Sequence, residues 1–353
     1  MRGTLLWGAV ALGLASLASL AFGEARPRSD PQATAERGED LFFHETYDGN
    51  GRVCATCHDP RNEFTISPAL ARDRWRRDPG GPLFRASDSD DGLGNGYTRL
   101  LTRAQFRVRV ALTDSVFVVD APAERSILVW RGVPSLENLQ LTAPYAADGR
   151  FDTLQLQAAG AIADHLQPTR APRDRELDSL ALFELQAFYP LRLRALLATS
   201  GDTLPLEPEF SIPVSSPASI RGKGVFDTHC ARCHSGELRN RPIEHHQPLF
   251  GSVKVSERNV TGLPVLHLGF RRPDGSVLLV DTPDPGRGAI SGNPDEINAF
   301  EIPSLRGVRH TAPYFHDNSA LTLQEVVSHY DTVLELGLTV QEAEDLLSYL
   351  EVL

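Results

Sequence analysis

Apolar positions recur at the three-to-four-residue spacing of an amphipathic helix in two stretches, Leu177 to Phe188, closed by Pro190, and Thr339 to Leu353. Shorter runs alternate or bunch as strands do: Phe106 to Val110, Val116 to Val119 and Gly275 to Val280. The first two of these are expected to form a short hairpin. Glu39 to Phe43 predicts a helix start, followed by a turn at Asn50-Gly51, while Arg26 to Arg37 is polar and reads as a loose lead-in. Thr322-Leu-Gln-Glu325 has the capping-box pattern, so a helix is expected from there through Tyr330. Arg72 to Gly96 lacks periodicity and reads as a long loop; residues 240–300 are rich in Gly and Pro and read as another, around the strand at Gly275 to Val280. Ser200 to Ser219 is rich in Ser and Pro and reads as a linker.

The pattern also repeats. VPSLENLQLTAPYAADGRFDTLQLQAAGA (133–161) aligns with IPSLRGVRHTAPYFHDNSALTLQEVVSHY (302–330) at a constant offset of 169, with 11 of 29 positions identical. Self-similarity at this separation points to an internal duplication. The expected fold class is mainly α, two duplicated domains with long loops and short β-hairpin embellishments.

Chemistry enters with the cysteines. The chain of 353 residues has four, in Cys54-Ala55-Thr56-Cys57-His58 and Cys230-Ala231-Arg232-Cys233-His234. Two disulfides or one four-cysteine zinc site would leave both histidines unexplained. C-x-x-C-H is the pattern for covalent haem c: each thiol forms a thioether, and the histidine becomes the axial ligand of the iron. The two copies lie 176 residues apart, in the same order relative to the repeated segment. Each duplicated domain is therefore expected to be cytochrome-c-like and to hold one covalently bound haem c.

The first residues and the charge narrow the setting. Arg2, the uncharged run from Leu5 to Phe22 and Ala21-Phe22-Gly23 read as a signal peptide over 1–23, with an uncleaved anchor as the alternative. Either way the globular part is exported, in a bacterium to the periplasm. Against 46 Asp+Glu stand 35 Lys+Arg, a net charge of −11, which argues against nucleic acid or an anionic membrane as partner. The expected division is 24–199 for the N-terminal haem domain, 200–219 for the linker and 220–353 for the C-terminal haem domain.

The residues opposite each histidine differ between the halves. The sole methionine is Met1, so methionine ligates neither iron. In the second half Tyr330 can approach as a phenolate, with His329, His316 or a plain core aromatic as alternatives. Its counterpart in the first half is Ala161, which ligates nothing. Gln157, Ala161 and His165 are spaced i, i+4, i+8, and no histidine lies between His58 and His165. An open iron lined by Gln157, with His165 to move a proton, suits binding and cleavage of peroxide. His165 as a helix-end histidine, or as the ligand itself, remains open.

At these residues the chain resembles the bacterial di-haem cytochrome c peroxidase and MauG superfamily, from about Glu39 to the C-terminus. The resemblance rests on both C-x-x-C-H motifs, Asp148-Gly149-Arg150 with Thr153-Leu154 and Gln157-Ala158, Pro303-Ser304-Leu305-Arg306, and Thr311 to Asp317. It implies a peroxidatic N-terminal haem and a six-coordinate C-terminal haem, with Tyr330 on the MauG-like side. It also implies a calcium ion between the domains, held by the Thr311 and Pro313 carbonyls and Asn138. Two positions depart from the family pattern. Ala147 stands where an electron-relay Trp is usual, leaving Tyr145, Trp130, Tyr314 or direct transfer, and Gln167 stands where a distal Glu is usual.

The function expected is an exported enzyme that uses hydrogen peroxide to oxidise a partner, with electrons relayed through the C-terminal haem. The partner is a small cytochrome c or cupredoxin, or a side chain of a protein substrate. Relatives of this kind are often homodimers. The alternative is a non-catalytic di-haem electron carrier or redox sensor.

Overall fold

The computed structural model describes residues 31–137, 139, 142–187, 214–236, 239–240, 250–251 and 261–353. The expected signal peptide, Asn138, Pro190 and most of the expected linker lie outside the described residues.

In chain order the helices are α1 Pro31–His44, α2 Pro68–Arg77, α3 Thr98–Arg103, α4 Leu154–Ala161, α5 Asp174–Ala187, α6 Pro217–His229, α7 Gly288–Ser291, α8 Leu323–Val333 and α9 Val340–Leu350. The strands are β1 Phe106–Ala111, β2 Val116–Val118, β3 Ser126–Arg131, β4 Phe250–Gly251, β5 Leu266–Arg271, β6 Val277–Thr282 and β7 Phe300–Glu301. The result is a mixed fold of helices with short sheets.

Several helix starts have a sequence cause. Ser67 and Ser216 cap α2 and α6 through their hydroxyls, with proline in the first turn. Thr339 and Glu342 close a reciprocal capping box on α9. The box expected at α8 is half formed: Thr322 accepts from the Glu325 amide, but the Glu325 carboxylate takes the amide of Leu321, one residue upstream.

Two helix pairs build two cores. α1 packs on α5 so closely that a Cβ on Gly38 would run into the Ser179 carbonyl, and α6 packs on α9 with Gly222 against the Asp345 carbonyl. Four residues on from each glycine, a fully buried Phe meets an aromatic of the partner helix: Phe42 with Phe183 at 5.2 Å, Phe226 with Tyr349 at 5.1 Å. The second pair is edge-to-face, a geometry that adds about 0.5–1.5 kcal/mol beyond burial. Leu41, Ile162 and Leu180 complete the first core; Val327, Leu346 and Leu350 complete the second.

Several expectations need correcting. Residues 31–37 are helical, not a loose lead-in. Residues 72–77 belong to α2, and the 240–300 stretch contains β4, β5 and α7 besides β6, which covers most of the strand expected at Gly275 to Val280. The two expected hairpin strands do not pair with each other. β1 pairs with β3 in antiparallel register, Val108 opposite Val129, and β2 joins the β5–β6 hairpin, Phe117 opposite Gly269. Alternation marks a strand but carries no information about its distant partner. The helix expected from Leu177 begins at Asp174. Among the described residues no helix is long and apolar enough to cross a membrane.

The two sequence halves interlock. A strand from residue 116 shares a sheet with strands from beyond 260, and the Gly132 amide donates to the His316 carbonyl at 2.8 Å. Arg131, itself 3% exposed, holds Asp148 at 2.6 Å and Asp284 at 2.7 Å, so one buried cation joins carboxylates from both halves. The carboxylate of Asp148 is held below its ordinary range by Arg131 and Arg150 despite its burial.

Candidate active site

Each C-x-x-C-H motif sits just past the helix of a core pair. In the first, Cys54–Thr56 forms a 3₁₀ turn; in both, the histidine amide donates to the first cysteine carbonyl, 3.0 Å for His58 and 2.9 Å for His234. No disulfide joins the four cysteines, and burial pushes the thiols of Cys54 and Cys230 up to about 12 and about 11. The two histidines make the same contact: Nδ1 lies 2.7 Å from the Phe64 carbonyl oxygen for His58, and 2.7 Å from that of Arg239 for His234. A carbonyl accepts only, so Nδ1 carries the proton and Nε2 keeps its lone pair. Burial lowers both imidazoles, His58 to about 4, leaving them neutral. Neutral imidazole with a carbonyl-fixed tautomer is the metal-ligating form. Paired thiols one turn away complete the donor set of a covalently attached haem, and the residues present fit that group.

Around the first motif, α4 ends at Ala161 and is followed by a π-helical turn over Ile162–Leu166. The single helical face expected for Gln157, Ala161 and His165 therefore holds only to Ala161. The wider turn shifts His165 off it, and such turns recur at functional sites. His165 remains close to His58, whose imidazole it helps to lower, and its own imidazole is lowered by burial. Gln157 is partly exposed on α4. Gln167, in a left-handed conformation, accepts from Asn50 at 3.4 Å and faces the Asn50-Gly51 turn.

A clamp that pattern reading missed holds the His165 turn. Arg52 is buried, pairs with Asp88 at 2.7 Å, and donates to the carbonyls of Pro82, Leu83 and His165. Asn50 also donates to the His165 carbonyl, at 2.9 Å. Nothing in local spacing marks Arg52 as buried; only its position two residues before Cys54 hints at a role.

Around the second motif, Tyr330 lies on α8 in edge contact with Phe315 at 5.8 Å and His329 at 5.5 Å. Its phenol is raised by burial and then by the electrostatic effect of Cys233 and Cys230. His329 packs against Phe315 at 4.8 Å. His316 is engaged elsewhere: it stacks on Phe300 at 3.6 Å and approaches Asp284 at 3.9 Å, within the inter-half charge cluster. Of the residues expected to hold calcium, the Thr311 hydroxyl donates to the Val308 carbonyl and Asn138 lies outside the described residues. No group of three or more His, Cys, Asp or Glu side chains among the described residues is arranged for a metal.

Two buried acids are further additions. Glu184 on α5 is 5% exposed, its Oε2 has no hydrogen-bond partner among the described residues, and burial raises it to about 8. Glu301 on β7 is raised to about 9 by burial and then by Asp148.

No protein-family model matches the chain. A cytochrome-c peroxidase of Denitromonas iodatirespirans is 24% identical over 98% of this chain and 90% of its own length. The methylamine utilization protein MauG of Paracoccus denitrificans is 27% identical over 87% of this chain and 76% of its own. Among solved structures, a MauG-like protein associated with microbial copper homeostasis superposes with a TM-score of 0.53 at 18% identity, covering 93% of this chain and 90% of that one, which shows a shared fold.

Proposed function

We propose that the chain is a member of the di-haem cytochrome c peroxidase and MauG superfamily, an exported, periplasmic enzyme that reduces hydrogen peroxide and oxidises a partner protein; the full-length similarity to a cytochrome-c peroxidase and to MauG supports this reading. It is a peroxidase-type oxidoreductase. In this reading two haem c groups would be held, one by Cys54, Cys57 and His58, the other by Cys230, Cys233 and His234. The domains are 24–199 and 220–353, copies of one ancestral unit. The matching Gly38–Phe42 and Gly222–Phe226 helix crossings support that duplication.

A bound haem would supply the redox chemistry for the two-electron, two-proton reduction of peroxide to water. The chain supplies the rest. The Phe64 and Arg239 carbonyls fix the proximal tautomers and increase the basicity of the ligating nitrogens. Neutral His165 accepts a proton from incoming peroxide and returns it to the departing oxygen. Gln157 orients the peroxide through its amide. Tyr330 closes the C-terminal haem, whose task is storage and relay of charge. A small cytochrome c or cupredoxin, or a side chain of a protein substrate, supplies the electrons, and a homodimer and an interdomain calcium ion belong to the same reading.

The observation that carries this proposal is the asymmetry between matched positions. Cys233 and Cys230 act electrostatically on Tyr330, whereas Ala161, its counterpart in the first half, offers no donor and has His165 nearby. The test is the ferric EPR spectrum of the haem-loaded protein: one high-spin and one low-spin signal are expected. Two low-spin signals that resist peroxide would favour the electron-carrier alternative.

A further inference from the structure

A groove of about 320 Å³ lies against the first C-x-x-C-H turn and takes no part in the chemistry described so far. Val53, Ala55, Leu83 and Phe84 give it an apolar floor, and Arg74 and Arg77, one turn apart on α2, form one wall. Ala55 stands between Cys54 and Cys57, so an occupant touches the turn that carries both thiols. Trp75 backs Phe84 edge-on at 4.8 Å and holds the floor in place. A space of this size is at the small end of ligand pockets and suits a molecule with one aromatic ring.

The charge beside the groove is unbalanced. Arg61 and Arg74 share the carboxylate of Asp59, at 2.7 and 2.6 Å, and Arg76 and Arg77 share that of Asp73. Four guanidinium groups thus face two carboxylates, on a chain whose net charge is −11. The one other acid in the lining, Asp78, is turned to its own loop and accepts from the Gly80 amide at 3.2 Å. Surplus guanidinium beside apolar surface recognises a carboxylate on an apolar body. A second cavity, of about 290 Å³, makes the contrast: it has no arginine in its lining and is faced by Asp120 and Asp281, which disfavour an anion.

We propose that the α2 groove binds a small aromatic carboxylate, and that a phenolic one bound there serves as a reductant. Each phenol gives up one electron and one proton and becomes a phenoxyl radical; two phenols and one hydrogen peroxide yield two radicals and two waters. The reductant role rests on the proposed function, whereas binding does not.

The test is isothermal titration calorimetry of the full haem-loaded chain, with ferulate as the probe and methyl ferulate as its uncharged analogue. Ferulate is expected to bind at least about tenfold more tightly than the ester, and to lose that advantage as salt rises. Arg77→Leu gives up only an exposed surface pair with Asp73, so the fold is kept. It is expected to weaken ferulate by about fivefold or more while the ester stays within about twofold. Arg272→Leu, at the exposed β5–β6 turn, is expected to leave both affinities unchanged. Equal affinity for acid and ester, or unchanged ferulate affinity in Arg77→Leu, overturns the site. On adding peroxide, ferulate absorbance is expected to fall with two ferulates consumed per peroxide, more slowly in Arg77→Leu when ferulate is limiting. Ferulate left intact while peroxide still shifts the haem bands overturns the reductant role. If peroxide leaves the haem bands untouched, the proposed function falls and the reductant role with it, and calorimetry alone decides the site.

Discussion

The Arg52 guanidinium lies 2.7 Å from the Asp88 carboxylate, and each side chain is 1% exposed. Arg52 also reaches the His165 carbonyl, so one buried ion pair ties the segment before the first C-x-x-C-H motif to the π-helical turn carrying the proposed proton carrier. Arg52→Met leaves Asp88 buried without its partner, which costs about 3–5 kcal/mol. A lower Tm by thermal denaturation is expected, with a larger loss than for the exposed Lys223→Met, whose pair with Asp227 is worth under about 1 kcal/mol.

Gly222→Ala puts a methyl group against the Asp345 carbonyl where α6 meets α9. Overpacking of this kind costs about 1–3 kcal/mol, and more where backbone must move. The same holds for Gly38→Ala against Ser179. Reduced haem incorporation, read as haem absorbance per mole of chain, is the expected result for each, with Gly224→Ala, at an open position, as the control.

Tyr330→Phe removes the phenol oxygen on which Cys233 and Cys230 act. The low-spin ferric signal of the C-terminal haem is expected to convert to high spin, with a rise in that haem's reduction potential by redox titration. An unchanged low-spin signal would assign the axial position to another residue.

Removal of the His165 imidazole is expected to lower kcat for peroxide by about a hundredfold or more, the usual contribution of a positioned acid–base group. Burial holds this imidazole below its ordinary value, so it stays neutral at neutral pH. The acid limb of the kcat/KM profile should accordingly lie below 6.5 and vanish in His165→Ala. An unchanged rate in the variant removes His165 from the mechanism.

Glu184 has an opposite sign. Its carboxyl is raised from 4.5 to about 8 in the folded chain, so between those values the folded state binds more protons than the unfolded state. This contribution to stability is complete below pH 4.5 and is lost as pH rises towards about 8. Denaturant titrations across that window should show a shallower decline for Glu184→Gln than for the unsubstituted protein, with Glu301 supplying the slope that remains.

Much of the site was legible because covalent chemistry demands fixed local spacing. Two cysteines and a histidine must share one turn, so both motifs stand out in any reading. The Tyr330/Ala161 difference could be read too, since a duplicated segment aligns position by position. Gly38 and Gly222 were legible in principle, each following Arg and preceding a Phe by four residues, but close helix crossings leave no periodic trace. The strands were visible one by one; β1 was misassigned to β2 because pairing depends on residues far along the chain.

The amino-acid order alone therefore determined where the two C-x-x-C-H motifs stand, and which half carries a spare oxygen donor, because those properties reside in neighbouring residues on one stretch of backbone. Tertiary structure decided the environment. It placed Arg131 between Asp148 and Asp284, set two guanidinium groups over Trp130, and turned the His165 segment through a π-helical turn under Arg52. Burial and electrostatics act through space between residues that the sequence holds tens to hundreds of positions apart, and folding alone brings them together.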